Sequence, residues 1–208
     1  YSYDFAKNSF RLSYLTDHYV SETTGKVLTD VGYAPLGLGA PTIGVTVRQM
    51  AAAYATFANN GVYREARTFT KVYDSEGNLV LDNTKDRDME QILALKTCEY
   101  LSYVLQTGVD PGPGASGGLA AYIEGQAVAG KTGTTNDSKD RWFCGYSDYY
   151  TAAVWVGYDT PETINLMWNN TNPAGTLFKK VLSQIHEGKE KVPLYDKSNF
   201  VQVAICLD

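Results

Sequence analysis

The stretch from Gly130 to Asp159, GKTGTTNDSKDRWFCGYSDYYTAAVWVGYD, constrains this chain more than any other. It closes a series of three strand candidates: Ala127 to Thr134, Arg141 to Ser147, and Thr151 to Gly157. The short Asp148-Tyr149-Tyr150 link makes the last two antiparallel neighbours. Side chains alternate along a strand, so Lys131 and Gly133 share one face while Thr132 and Thr134 share the other. Gly133 lets another backbone approach closely. A cation and hydroxyls on such a strand can grip a carboxylate, and a free N–H near Thr134 can donate into an oxyanion. An exposed edge strand with a solvated lysine would carry the same letters, so this local chemistry needs partners elsewhere.

The same lysine also satisfies a different pattern. Gly125-Gln-Ala-Val-Ala-Gly130-Lys131-Thr132 fits G-x-x-x-x-G-K-[ST], a phosphate-binding loop. That loop works only between a buried strand and a helix that begins at the lysine. Here Gly133 follows at once, and Thr134 to Ser138 are poor helix propagators. No compact β-branched run precedes Gly125, and Gln126 to Ala129 reads as strand. The phosphate-loop reading is rejected on that context.

Around this centre the chain divides into residues 1–125, a mostly helical lobe with a small hairpin, and 126–208, the strands and a C-terminal helix. The first part opens on a helix fragment from Asp4 to Tyr19, then a Gly- and Pro-rich loop from Val31 to Pro41. Thr46 to Asn60 is the strongest helix. Thr46 and Gln49 fit a capping box, and Val47, Met50, Ala51, Tyr54, Phe57 and Ala58 form one apolar face. Asn60-Gly61 supplies the stop. Arg67 to Tyr73 and Leu79 to Asp82 flank a turn and read as a hairpin. Asp88 is expected to cap a helix reaching Gln106, with Ile92, Leu93, Leu101, Val104 and Leu105 buried. Gly108 to Gly118 reads as a connecting loop. Leu177, Phe178, Val181, Leu182 and Ile185 mark an amphipathic helix closed by Gly188, covering one sheet face. Phe200 to Leu207 is strand-like. The expected class is therefore α+β, an antiparallel sheet flanked by helices.

Composition removes several functions. The net charge of −5 argues against a nucleic-acid surface, which needs clustered Lys and Arg. No apolar run approaches the ~20 residues of a membrane span and no signal peptide is visible, so the chain as written reads as soluble. Cys98, Cys144 and Cys206 form no C-x-x-C pair, and only His18 and His186 could supplement them. Buried free thiols are expected, and neither a structural metal nor a cofactor. The length of 208 residues suits one domain, or one with an extra lobe.

Several phrases in register carry a resemblance. KTGTT, then D-x-W-F-x-G-Y and V-W-V-G-Y-D, resemble the third, fourth and fifth strands of the penicillin-binding protein transpeptidase domain, class A bifunctional type. Pro35-Leu-Gly-Leu-Gly39, Gly44-Val-Thr-Val-Arg-Gln-Met-Ala51, Ala53-Tyr-Ala-Thr-Phe-Ala-Asn-Asn-Gly61, Asn172-Pro-Ala and Lys191-Val-Pro are similar to that family in the same order. The resemblance implies a serine that attacks the penultimate D-Ala carbonyl of a peptidoglycan stem peptide, and an acyl-enzyme that an amine then captures. β-Lactams mimic the D-Ala-D-Ala end. It also implies that Lys131 assists electrostatically, that Thr132, Gly133, Thr134 and Thr135 bind substrate or drug, and that the Thr134 N–H completes the oxyanion hole. Action at the extracytoplasmic face of the bacterial membrane is implied too. In a bacterial protein the Asn169-Asn-Thr171 sequon is read as chance.

The family also needs S-x-x-K and S-x-N. None of the eleven serines has Lys at +3 or Asn at +2. Two explanations compete: a piece of a longer transpeptidase, or a degenerate homologue acting as a cell-wall binding or scaffold module. The uncapped start at YSYDFAKNSF and the strand-like end favour the piece. The expectation is an incomplete β-lactamase/transpeptidase-like domain, inactive alone, with an exposed sheet edge through which two copies could pair.

Overall fold

The computed structural model describes residues 1–84, 89–165, 171–201 and 203. Asp88, the first two residues of the sequon, Cys206 and most of the Phe200 to Leu207 run lie outside them. Helix α1 (Val47–Ala58) begins as its sequence dictates. The Thr46 hydroxyl accepts from the Gln49 N–H at 3.1 Å, and the Gln49 side chain accepts from the Thr46 N–H at 3.0 Å. The Gln49 amide then donates to Ser13 and to the Arg11 carbonyl, which pins the N-terminal segment to the cap. Asn60 and Gly61 stop the helix with φ of 55° and 88°. A Cβ at Gly61 would lie 2.1 Å from the Leu93 carbonyl oxygen, so this position demands glycine twice over.

That contact explains the largest departure from expectation. Strand β1 (Val62–Arg64) is followed by the hairpin β2 (Lys71–Tyr73) and β3 (Leu79–Asp82), and then by β4 (Met89–Gln91), which pairs antiparallel with β1. The Gly61 carbonyl accepts from both Ile92 and Leu93, so those residues belong to a strand exit and not to a helix. Helix α2 (Leu95–Thr107) starts later, without a side-chain cap. It buries Cys98 and Ser102; Leu101 and Leu105 are half-buried, and Val104 is 61% exposed. Two further expectations change. Helical structure near the N-terminus ends at Ser9, and the Val31 to Pro41 loop contains a short helix, Tyr33–Gly37.

The centre is a three-stranded antiparallel sheet, β5 (Ala129–Thr134), β6 (Asp140–Tyr146) and β7 (Thr151–Gly157), in that spatial order. Thr132 pairs with Phe143, and Lys131 with Cys144. Phe143 faces helix α3 (Pro173–Ile185), its ring centroid 4.7 Å from that of Phe178. Val109, Ile123, Val128 and Leu182 complete this core. Burying one such side chain is worth roughly 1.5–3 kcal/mol. A Cβ at Gly130 would lie 2.5 Å from the Phe143 ring, and one at Gly145 2.7 Å. The glycine of the phosphate-loop pattern is thus room for an aromatic ring. Asn172 starts α3: its side-chain Oδ1 accepts from the Ala174 and Gly175 N–H groups, and its side-chain amide donates to the Trp142 carbonyl at 3.1 Å. Only part of the expected apolar face of α3 is covered. Phe178 and Leu182 are buried, while Leu177, Val181 and Ile185 remain 46%, 48% and 43% exposed.

The opposite sheet face meets α1 and α2. Tyr146 packs near Phe57 and shares a buried hydrogen bond with Ser102. Cys98 and Cys144 are buried free thiols, as their spacing implied. Burial pushes the Cys144 thiol and the Tyr146 phenol each up to about 12.

Candidate functional site

Strand β5 is an edge strand among the described residues, and its hydrogen-bond polarity decides what it offers. The Thr135 N–H donates to the Asp140 carbonyl, closing the β5–β6 turn. In an antiparallel pair, bonding alternates residue by residue. Odd-numbered residues of β5 therefore bond to β6, and Gly130, Thr132 and Thr134 turn their N–H and C=O groups to the open edge. The Lys131 ammonium agrees with that polarity, since it donates to the Thr132 carbonyl at 3.1 Å. It also reaches the Thr132 hydroxyl at 3.5 Å.

The side chains fall as alternation requires. Lys131 is exposed on the face of α1 and α2, above the buried Cys144. Thr132 and Thr134 lie on the α3 face. A Cβ at Gly117 would sit 3.1 Å from the Thr132 hydroxyl oxygen, so the glycine-rich segment expected only to connect runs alongside the site. Thr135 stands apart from the other site residues. Its hydroxyl donates to the Asp140 carboxylate at 2.9 Å and accepts the Asp140 N–H at 2.8 Å, with the Trp155 indole on the other carboxylate oxygen. That hydroxyl closes the turn.

Sequence reasoning passed over one residue. Arg141 pairs across the strands with Thr134, and its guanidinium donates to the Thr134 hydroxyl at 3.4 Å and to Ser138 at 2.9 Å. Counting back through the hairpin register from Lys131 would have placed it there. Among the described residues, no group of His, Cys, Asp and Glu is arranged to hold a metal. No helix among them is long and apolar enough to cross a membrane. A cleft of about 580 Å³ lined by Phe57, Cys98, Ser102, Tyr146 and Tyr195 involves none of Lys131 to Thr135.

The geometry defines an α+β domain whose antiparallel sheet carries a cation and hydroxyls on its open edge. The penicillin binding protein transpeptidase domain profile matches residues 13–183, and the chain belongs to that family. Penicillin-binding protein 1A of Clostridium acetobutylicum is 41% identical over 129 residues, covering 61% of this chain and 15% of that protein. Penicillin-binding protein 4 of Bacillus subtilis is 36% identical over 156 residues, covering 74% of this chain and 24% of that protein. The chain thus spans a quarter or less of the length of these relatives. The PonA1 protein of Mycobacterium tuberculosis, solved in complex with penicillin V, shares the fold with a TM-score of 0.64 at 21% identity, covering 89% of this chain and 50% of that one. The D,D-transpeptidase domain of a peptidoglycan glycosyltransferase from Eggerthella lenta gives 0.54 at 26% identity, over 69% of this chain and 32% of that one.

Proposed function

We propose that these residues form one wall of a serine D,D-transpeptidase site that crosslinks peptidoglycan stem peptides, and that β-lactams acylate, in the whole protein. The open edge of β5 carries the reading: Thr132 and Thr134 present backbone groups outward, so an extended peptide can add as a further strand. Residues 126–208 supply this wall and 1–125 the lobe facing it. Residues outside these 208 supply the serine and the S-x-N relay.

In this reading the serine oxygen attacks the penultimate D-Ala carbonyl, its proton passes to the departing amine, and D-Ala leaves. An amine from a neighbouring strand attacks the ester and frees the serine. The Thr134 N–H stabilises the oxyanion, Lys131 lowers the cost of charge building beside it, and Gly133 lets the substrate backbone draw near. Thr132 and Thr134 hold the carboxylate; Thr135 contributes by fixing the strand end. The site lies at the extracytoplasmic face of the bacterial membrane. The outer edge of β7 has no strand partner among the described residues, and pairing of two copies there is the self-association this reading carries. Sedimentation of the 208-residue chain should show a dimer that a proline at Ala153 abolishes; a monomer at all concentrations removes that element.

Intact mass after incubation with a fluorescent penicillin tests the main claim. The full-length gene product should gain one covalent adduct and the 208-residue chain none. A full-length product that lacks S-x-x-K and gains no adduct would replace the enzyme with a cell-wall binding module.

A further inference from the structure

Arg141 occupies a position that closing the hairpin does not explain. Its Nη1 donates to the Thr134 hydroxyl at 3.4 Å and its Nη2 to the Ser138 hydroxyl at 2.9 Å, while Nε is enclosed without a hydrogen-bond partner among the described residues. The two ion pairs found among the described residues join the N-terminus to Asp4 and Arg11 to Glu90, and neither involves Arg141. Its neighbour Asp140 points to the other face of the strand and is held there by Thr135 and Trp155. A half-buried guanidinium beside neutral hydroxyls alone is an incomplete arrangement, because withdrawing a charge from water is costly until an anion joins it.

Thr134 shows where the anion enters. The residue is exposed, and its hydroxyl accepts from Arg141, so its own proton is left to donate outward. A carboxylate on that proton lies within about one further hydrogen-bond length of Nη1. Ser138 fixes the guanidinium from behind. It sits in a turn where Asp137 and Ser138 both hold left-handed φ, 58° and 55°, and its carbonyl is tied down by Ile164. The fork is therefore held in place before a ligand arrives.

We propose that Arg141 is the charged anchor for the carboxylate of the acyl donor, acting together with the Thr134 hydroxyl. This rests on the transpeptidase reading above. A stem peptide ending in a free carboxylate and a penicillin both present this group. Recognition at this wall then rests on charge as well as on hydroxyl hydrogen bonds.

The test uses the full-length gene product, with Arg141→Met to remove the charge and Arg141→Lys to keep it without the fork. The second-order acylation rate is measured with benzylpenicillin and its methyl ester, and with a D-Ala-D-Ala-type thioester peptide bearing a free or an amidated C-terminus. Arg141→Met should slow acylation by both free carboxylates roughly 10- to 100-fold, as expected for a lost charged hydrogen bond, and leave the ester and amide rates unchanged. Arg141→Lys should fall between, and its rate with free carboxylates should decline as salt rises. Equal losses for free and blocked ligands would reduce Arg141 to a turn brace and overturn the proposal, as would no loss at all. A loss with penicillin alone would overturn the assignment to the acyl donor. Should Arg141→Met fail to fold, the free-to-blocked rate ratio of Arg141→Lys decides in its place. A wild-type protein acylated by none of the four ligands would sink the transpeptidase reading itself; a wild type that acylates, with an unchanged ratio in the variants, sinks only the role of Arg141.

Discussion

The Ser102 hydroxyl and the Tyr146 phenol meet at 2.8 Å in the buried seam between α2 and β6. Each is the other's partner there, so removing one leaves the other in an apolar setting. Tyr146→Phe should cost about 1–3 kcal/mol of unfolding free energy, and Ser102→Ala a similar amount. The double variant should lose clearly less than the sum, because no orphan remains. Denaturant unfolding of the four proteins measures this; strict additivity would count against the bond.

Alkaline pH should weaken the same seam. Burial raises the Tyr146 phenol from 10.0 to about 12 and the Cys144 thiol from 9.0 to about 12, and raises Tyr54 in the same direction. For raised groups the unfolded chain releases its protons first, so it binds fewer than the folded one and stability falls as pH rises. The contribution is whole below pH 9 and declines toward pH 12. Thermal melts across that range should show the fall, and Cys144→Ala should make it shallower.

Lys131 separates stability from chemistry. It is exposed and bonds only to its sequence neighbour, so Lys131→Ala should change stability by no more than about 0.5 kcal/mol. In the full-length product the same change should slow penicillin acylation roughly 10²- to 10⁴-fold, the range for a positioned group acting on a proton or a developing charge. Melting temperature and acylation rate, read on one sample, decide the matter.

Asn172 joins two elements with one side chain. Asn172→Ala removes the cap of α3 and the donor to the Trp142 carbonyl, and should cost about 1–3 kcal/mol. Asn172→Asp keeps the capping acceptor but loses the donor, so it should recover only part of that loss. Full recovery would mean that the Trp142 bond contributes nothing.

The contrast between α1 and α2 shows which parts of the fold were legible. Everything that starts and stops α1 lies within sixteen consecutive residues, Thr46 to Gly61, and local rules found it. The start of α2 is set from far away in sequence, by Gly61 accepting from Ile92 and Leu93 and by Val62–Arg64 pairing with Met89–Gln91. No local period records a pairing of that kind. On α3, periodicity marked five apolar residues as one face, but of these only Phe178 and Leu182 are buried, because burial depends on what packs against the helix and not on its own period. In the site, Lys131 and the threonines stood out as a motif. Arg141 did not, because its meaning comes from facing Thr134 across the hairpin.

The bonds that lock Thr135 to Asp140 and Asp140 to Trp155 fix the register at the end of β5. Outward backbone groups then recur at every second residue, roughly 6.8 Å apart. The strand is a ruler already graduated before anything is laid along it. A ligand must span about a dipeptide to touch both the Thr132 and the Thr134 marks, so on the proposed reading this wall would select by length.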